Sequence, residues 1–314
     1  MGNKGKIAII GAGHVGSHCA MSLAIGAFVS EIVLIDKVEL KAKAQALDIS
    51  DALSFSPSSP LVRAGAYSDC ADADIVVIAI GEQHKSGQTR LDLLERSIIM
   101  LGELLGVLKP LNPGGIVITI TNPADIVADF VRNNLSLPRS RAFGTGTLLD
   151  TARLTRLLSE QTDLGPEEID ALSMGEHGDS SMIPFSHIRL GGKAFKAFPN
   201  LDRAGLLQAT RRSGMDILEG KGCTEFGIGE ALSMLCRSIL QDEKRTLPLS
   251  ALLKGEYGQE GIHCGVPCRV GREGIEAVIE LPLEPEELAQ LNSSCDIIRR
   301  HIGMAQEIAQ RSNV

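Results

Sequence analysis

The sequence has no excess of basic residues. Lys and Arg number 31 against 39 Asp and Glu, a formal net charge of -8 over 314 residues. A protein held to nucleic acid by phosphate contacts carries the opposite balance, so no nucleic-acid partner is expected. No apolar run approaches the roughly 20 residues that span a bilayer, so no membrane partner is expected either. The opening MGNKGK has no signal-peptide apolar core, and Lys6 stands where a myristoylation signal wants Ser or Thr. A cytoplasmic location is the expectation. The cysteines (Cys19, Cys70, Cys223, Cys236, Cys264, Cys268 and Cys295) are odd in number and scattered. The closest pair, Cys264 and Cys268, has no second ligand pair at metal spacing. Reduced, buried thiols are therefore expected, and no metal.

What is present is the composition of an ordinary globular protein, 44% hydrophobic and 22% charged, which argues against disorder. The length suits two domains or one large α/β unit. From Lys6 to about Ile120, short apolar runs alternate with helical stretches. The runs are KIAII (6–10), EIVLID (31–36), DIVVIAI (74–80) and GIVITITN (115–122). They are apolar throughout, as strands covered on both faces are. The stretches Val15–Ile25, Leu40–Leu53 and Leu91–Leu108 are helical in pattern. This alternation predicts an α/β protein with a doubly wound parallel sheet.

The first run leads into Gly11-Ala12-Gly13-His14-Val15-Gly16, a G-x-G-x-x-G that follows a strand and opens a helix. Gly11 permits a tight turn, Gly13 lets a pyrophosphate approach the backbone, and Gly16 lets helix and sheet pack closely. The helix N-terminus at Val15 then faces the phosphates. Asp36 lies 20 residues past Gly16. A carboxylate there can accept hydrogen bonds from an adenosine ribose and repel a 2′-phosphate, which favours NAD over NADP. Lys37 and Lys41 nearby weaken that preference, and Lys41 is placed with the cofactor site.

Two further segments carry chemistry. Asp150 and Arg153 sit three apart at the start of an amphipathic helix that turns Leu154, Leu157 and Leu158 to one side. Taken singly, Asp150 reads as a helix-dipole acid and Arg153 as a solvated charge. His177 lies between glycines in Gly175-Glu-His-Gly-Asp-Ser180. A lone loop histidine is usually a surface residue, yet imidazole is the side chain suited to move one proton near pH 7. A carboxylate on its second nitrogen would fix the tautomer and stabilise the imidazolium. Reduction of a 2-keto acid needs a proton donor, a planar partner for the carboxylate and a cation near the carbonyl. His177, Arg153 and Arg90 supply those types.

Read in order, GAGHVG (11–16), Asp36, Thr121-Asn122-Pro123, GTGTLLDTAR (144–153) and GEHGDS (175–180) resemble the L-lactate dehydrogenase family in type and spacing. That family includes malate and L-2-hydroxyisocaproate dehydrogenases. The resemblance runs through Gly222-Cys-Thr224 and Val266-Pro267 to the C-terminal helix. It implies a Rossmann-type NAD-binding domain over 1–146 and an α+β catalytic domain over 147–314. It also implies a homotetramer or homodimer acting on a small 2-keto or 2-hydroxy acid. His177 resembles the proton donor and acceptor, and Asp150 its orienting carboxylate. Arg153 resembles the carboxylate clamp, and Arg90 the loop arginine that polarises the carbonyl. Asn122 resembles the residue that meets both substrate and nicotinamide. Thr224 matches a pocket wall, and Ile228 an apolar residue against the nicotinamide. Tyr67, Gly81 and Thr145 fall on cofactor positions. In this likeness Gly81–Arg90 begins a lid, with Gly81 and Gly87 as flex points, whose closure excludes water.

Four positions depart from the family pattern. Position 84, which meets the substrate side chain, is Gln in lactate dehydrogenases and Arg in malate dehydrogenases; here it is His84. Such a contact shifts preference by about 1–3 kcal/mol, so malate dehydrogenase activity is a rival reading. A dinucleotide-binding protein without catalysis is another, disfavoured because His177, Arg90, Asp150 and Arg153 are all present. Thr155 and Asp170 replace the Arg and His that bind fructose 1,6-bisphosphate in many bacterial relatives. Asp170 would repel a phosphate, so no activation by that sugar is expected. Glu103 replaces a small cofactor-contacting residue. His14, His18, His187, His263 and His301 read as structural or surface residues.

Overall fold

A computed structural model describes residues 5–81, 90–312 and 314, the side chains of 90–93 excepted. The first half alternates β1 (Gly5–Ile10), α1 (His14–Ile25), β2 (Val29–Ile35), α2 (Glu39–Leu53), β3 (Leu61–Ala64), β4 (Ile75–Ile78), α3 (Arg90–Leu111), β5 (Ile116–Thr119), α4 (Ala124–Leu135) and β6 (Ala142–Gly144). The second half opens with α5 (Leu148–Thr162) and the short strands β7 (Ile169–Asp170), β8 (Arg189–Leu190) and β9 (Lys193–Ala194). It continues through α6 (Arg203–Lys221), α7 (Phe226–Leu240), β10 (Arg245–Lys254), β11 (Glu260–Gly271), β12 (Gly274–Val278) and α8 (Pro285–Ser312).

Among the described residues the large sheet has the order β12-β11-β10-β6-β5-β4-β1-β2-β3. Strands β1 to β6 pair in parallel, and β10 to β12 join as an antiparallel arm. From β1 the chain builds outward to β3 on one side, then returns to β4 and builds the other way. Such a switch point leaves a crevice beyond the carboxyl ends of β1 and β4, where open α/β sheets bind ligands. Gly11 leaves β1 there, and Gly81 follows β4.

The strands form where the apolar runs predicted them, because helices cover both faces. Residues 7–10, 32–35, 75–78 and 116–118 are buried throughout. Their ends differ from the sequence expectation. The run 74–80 keeps strand pairing only over Ile75–Ile78, and 115–122 only over Ile116–Thr119. Beyond Ile78 the backbone leaves the ladder toward the crevice, and the Thr121 hydroxyl bonds the Ile80 carbonyl at 2.6 Å. Helix α3 continues through Pro110 to Leu111 instead of stopping at Leu108. A proline in the last turn removes one backbone bond and leaves almost no helix to kink.

A smaller core holds the second half. Leu154 and Leu158 of α5 bury their side chains against Ile188, Leu190, Phe195 and Leu206, with Leu157 partly buried beside them. The apolar face read from the sequence is therefore the face that docks, and it presents the start of α5 to the rest of the site. No helix among the described residues is long and apolar enough to cross a membrane.

Candidate active site

The turn after β1 is built around backbone contacts that exclude side chains. Gly11 has φ +104°, and a Cβ there would lie 2.5 Å from the Ala79 carbonyl oxygen. A Cβ on Gly16 would lie 1.8 Å from the Gly11 carbonyl oxygen. Both positions require glycine for packing reasons. Gly13 differs: a Cβ there would meet only Lys41 Nζ, at 3.7 Å. Protein packing does not demand glycine at 13, and the space left there is open to a phosphate group. The residues present thus fit a dinucleotide.

Asp36, one residue past β2, is fixed by that turn. Its Oδ2 accepts the Ala12 N–H at 2.9 Å and its Oδ1 the Val38 N–H at 3.0 Å. Lys41 Nζ lies 3.5 Å from Oδ2. Burial alone would raise this carboxyl, but the two N–H donors and Lys41 outweigh it and hold it below its ordinary range. It is therefore ionised and held in one orientation. The half-buried Tyr67 lies close enough for Asp36 to help burial raise its phenol. Val15, Ile228 and Thr224 are half-buried, Thr145 is buried, and Gly81 and Asn122 are exposed. The Asn122 carbonyl accepts Ser97 Oγ at 3.4 Å.

The structure brings three of the chemical candidates together. Asp150 lies in the first turn of α5, with its side chain 7% exposed. Its Oδ2 meets His177 Nδ1 at 2.6 Å and its Oδ1 accepts Arg153 Nη1 at 2.9 Å. Asp150 keeps its place in the first helical turn, and the reading of Arg153 as a solvated charge is corrected. The Arg153 side chain is only 11% exposed, and its Nε is buried without a partner. Burial would raise the Asp150 carboxyl, but His177 and Arg153 together hold it low. The Asp150 carboxylate raises the His177 imidazole in turn, against burial. The pair thus favours imidazolium facing carboxylate.

Residues that sequence reasoning missed hold the histidine loop. The His177 N–H donates to Asp125 Oδ2 at 2.9 Å, and Ser250 Oγ donates to Asp125 Oδ1 at 2.5 Å. Asp125 is fully enclosed on α4, and burial pushes its carboxyl up to about 6 despite those donors. Gly175 and Gly265 exchange two backbone bonds of 2.9 Å, and Ser294 Oγ accepts the Glu176 N–H at 2.8 Å. Strand β11 and helix α8 therefore clamp the loop. The one sequence signal was an acid among buried neighbours in ADIVADFV, with no hint of its partner.

Arg90 opens α3, with its side chain outside the described residues; His84 and Gly87 also lie outside them. Glu103 is exposed on α3. Among the other histidines, His187 Nε2 meets the Pro282 carbonyl at 3.1 Å, and the fully buried His263 meets Asp129 at 3.1 Å. All seven cysteines are unpaired, and six are buried, as expected from their scatter.

A glycine turn at a sheet switch point, set with a histidine–carboxylate pair and a shielded arginine, defines a dinucleotide-dependent oxidoreductase. Residues 5–144 match the family described as lactate/malate dehydrogenase, NAD binding domain, and residues 147–308 its alpha/beta C-terminal domain. The chain belongs to the lactate/malate dehydrogenase family, and its first half is that family's NAD-binding domain. It is 39% identical over 305 residues to an L-lactate dehydrogenase of Fusobacterium nucleatum, covering 95% of this chain and 96% of that one. It is 36% identical over 307 residues to L-lactate dehydrogenase 1 of Bifidobacterium longum, covering 95% and 97%. The ligand-bound crystal structure of a minor L-lactate dehydrogenase from Enterococcus mundtii superposes with a TM-score of 0.92 at 32% identity, covering 96% of this chain and 98% of that one. A lactate dehydrogenase from a deep-sea metagenome superposes equally well, with a TM-score of 0.92 at 31% identity over 98% of this chain and all of that one.

Proposed function

We propose that the chain is an NAD-dependent L-lactate dehydrogenase, acting on pyruvate or a bulkier 2-keto monocarboxylate, with residues 1–146 holding the cofactor and 147–314 the substrate. The observation that carries this is the His177–Asp150–Arg153 arrangement, with contacts of 2.6 and 2.9 Å, in a chain whose first half binds NAD. Bound NADH supplies the hydride that reaches the carbonyl carbon. His177 Nδ1 is taken by Asp150, so Nε2 is the nitrogen that gives its proton to the carbonyl oxygen. Arg153 spends one nitrogen on Asp150 and keeps the rest of its fork for the substrate carboxylate. Arg90 polarises the carbonyl on closure of the lid, and Asn122 and Thr224 line the substrate. Gly11, Gly13, Val15, Gly16, Asp36, Lys41, Tyr67, Gly81, Thr145 and Ile228 hold the cofactor.

The relatives above are all lactate dehydrogenases, three of them named as L-lactate dehydrogenases, which favours a monocarboxylate over malate. His84 sets the preferred side chain. NADH oxidation with pyruvate, oxaloacetate, 2-ketoisocaproate and phenylpyruvate in parallel tests this reading. A monocarboxylate is expected to give the highest kcat/KM, and a clear preference for oxaloacetate contradicts it. The same reading places a homo-oligomer, a dimer or tetramer, in the cytoplasm.

Two predictions arise here. Asp36→Ser removes the charge that repels a 2′-phosphate. It is expected to raise kcat/KM with NADPH relative to NADH by about tenfold or more, the equivalent of 1.4 kcal/mol. An unchanged ratio would show that Asp36 does not face the ribose. Fructose 1,6-bisphosphate is expected to leave the keto-acid KM unchanged. Asp170 is exposed where a phosphate partner is needed, and Thr155 Oγ1 already bonds the Thr151 carbonyl at 3.0 Å. A large fall in KM with the sugar phosphate contradicts this.

A further inference from the structure

His14 and His18 stand four apart on α1, a spacing that turns both imidazoles to one helix face. Helix α7 crosses α1 closely there: a Cβ on Gly229 would lie 3.2 Å from the His18 carbonyl oxygen. This crossing brings the connection between α6 and α7 over the two histidines. Glu225 Oε2 lies 3.3 Å from His18 Nδ1 and 3.8 Å from His14 Nδ1. Cys223 Sγ lies 3.3 Å from the same oxygen. One ligand atom each from His14, Cys223 and Glu225 falls within 4.8 Å of the others. Around a tetrahedral zinc ion with bonds of about 2.0–2.3 Å, ligand atoms sit about 3.3–3.8 Å apart. Small side-chain movements would close the set.

Three further observations suit a cation. The Glu225 carboxylate is largely buried and already fixed, since Lys221 Nζ holds its other oxygen at 2.5 Å. The His18 ring is seated edge-on against Phe226, with centroids 4.9 Å apart, and its Nδ1 donates to the His14 carbonyl at 2.8 Å, so it lies beside the set and not in it. Cys223 is the single cysteine that is not buried, and it stands beside a histidine and a carboxylate. The Cys223 sulfur, a Glu225 carboxylate shared with Lys221, and imidazole make a soft set that selects zinc over magnesium.

We propose that His14, Cys223 and Glu225, with His18 beside them, form a zinc-class cation site that ties the phosphate turn to the α6–α7 connection. His14 lies inside the glycine motif, and Thr224, between two of the ligands, is assigned above to the pocket wall. A cation there spans the mouth of the cofactor cleft and competes with NADH, a consequence that rests on the proposed function.

Calorimetric titration of metal-free protein with zinc chloride tests the site without any assay of turnover. One ion per chain is expected to bind, with millimolar magnesium failing to displace it. His14→Gln and Cys223→Ser are each expected to weaken binding by more than about tenfold. No binding, or equal binding in both variants, overturns the site. NADH fluorescence titration then reads the consequence. Zinc should raise the apparent NADH dissociation constant in the wild type and not in Cys223→Ser. Zinc binding with unchanged NADH affinity overturns the competition. A chain that binds zinc but turns over no keto acid keeps the site and loses the proposed function.

Discussion

Replacing His177 with asparagine is expected to lower kcat for keto-acid reduction by about 10²–10⁴-fold, with NADH binding little changed. The proton for the new hydroxyl must come from a group that is charged near neutral pH and able to lose that charge. His177 is raised by the Asp150 carboxylate 2.6 Å from its ring, so it carries the proton above the ordinary histidine range. Reduction needs this protonated form. Its rate therefore holds at low pH and falls as pH rises through the raised value, whereas lactate oxidation shows the mirror-image limb. Asp150→Asn removes the cause of the shift. The falling limb of reduction should then move to lower pH and kcat should drop. A pH profile of kcat for both enzymes measures this, and a limb that stays in place would show that Asp150 does not tune the histidine.

Arg153→Lys is expected to cost at least about 2 kcal/mol in kcat/KM, thirtyfold or more, mostly through a higher KM for the keto acid. The guanidinium is held in the site by Asp150 at 2.9 Å and is shielded from water, so its planar fork presents paired donors without further ordering. Lysine offers a single ammonium. It can meet Asp150 or the substrate carboxylate, but not both in the same geometry. Steady-state kinetics with pyruvate read the effect, and an unchanged KM would remove Arg153 from the carboxylate site.

The parts of this picture that were legible in the sequence are local. Strands covered on both faces, as β1, β2, β4 and β5 are, show as continuous apolar runs. The glycine turn shows because Gly11 and Gly16 have no alternative under the contacts described above. Strand β6 is only three residues long, too short for any periodicity to register. Pairings between distant segments were legible only where the family resemblance supplied them, as for His177 and Asp150. Asp125 supports His177 from 52 positions away, and Ser250 reaches Asp125 across 125. Read alone, Arg153 looked like a surface charge, because nothing in its own helix reveals that α6 passes over it. A Cβ on Gly214 of α6 would come within 3.2 Å of its guanidinium. The histidine cluster at His14 went unread for the same reason, since Cys223 and Glu225 arrive only through the crossing of α1 and α7.

The most direct test of the account is a product analysis. Incubated with pyruvate and NADH, the purified protein should consume both one for one and form L-lactate, identified by chiral chromatography. His177→Asn under the same conditions should form little. Wild-type protein that leaves NADH and pyruvate untouched, or that forms the D-isomer, contradicts the account.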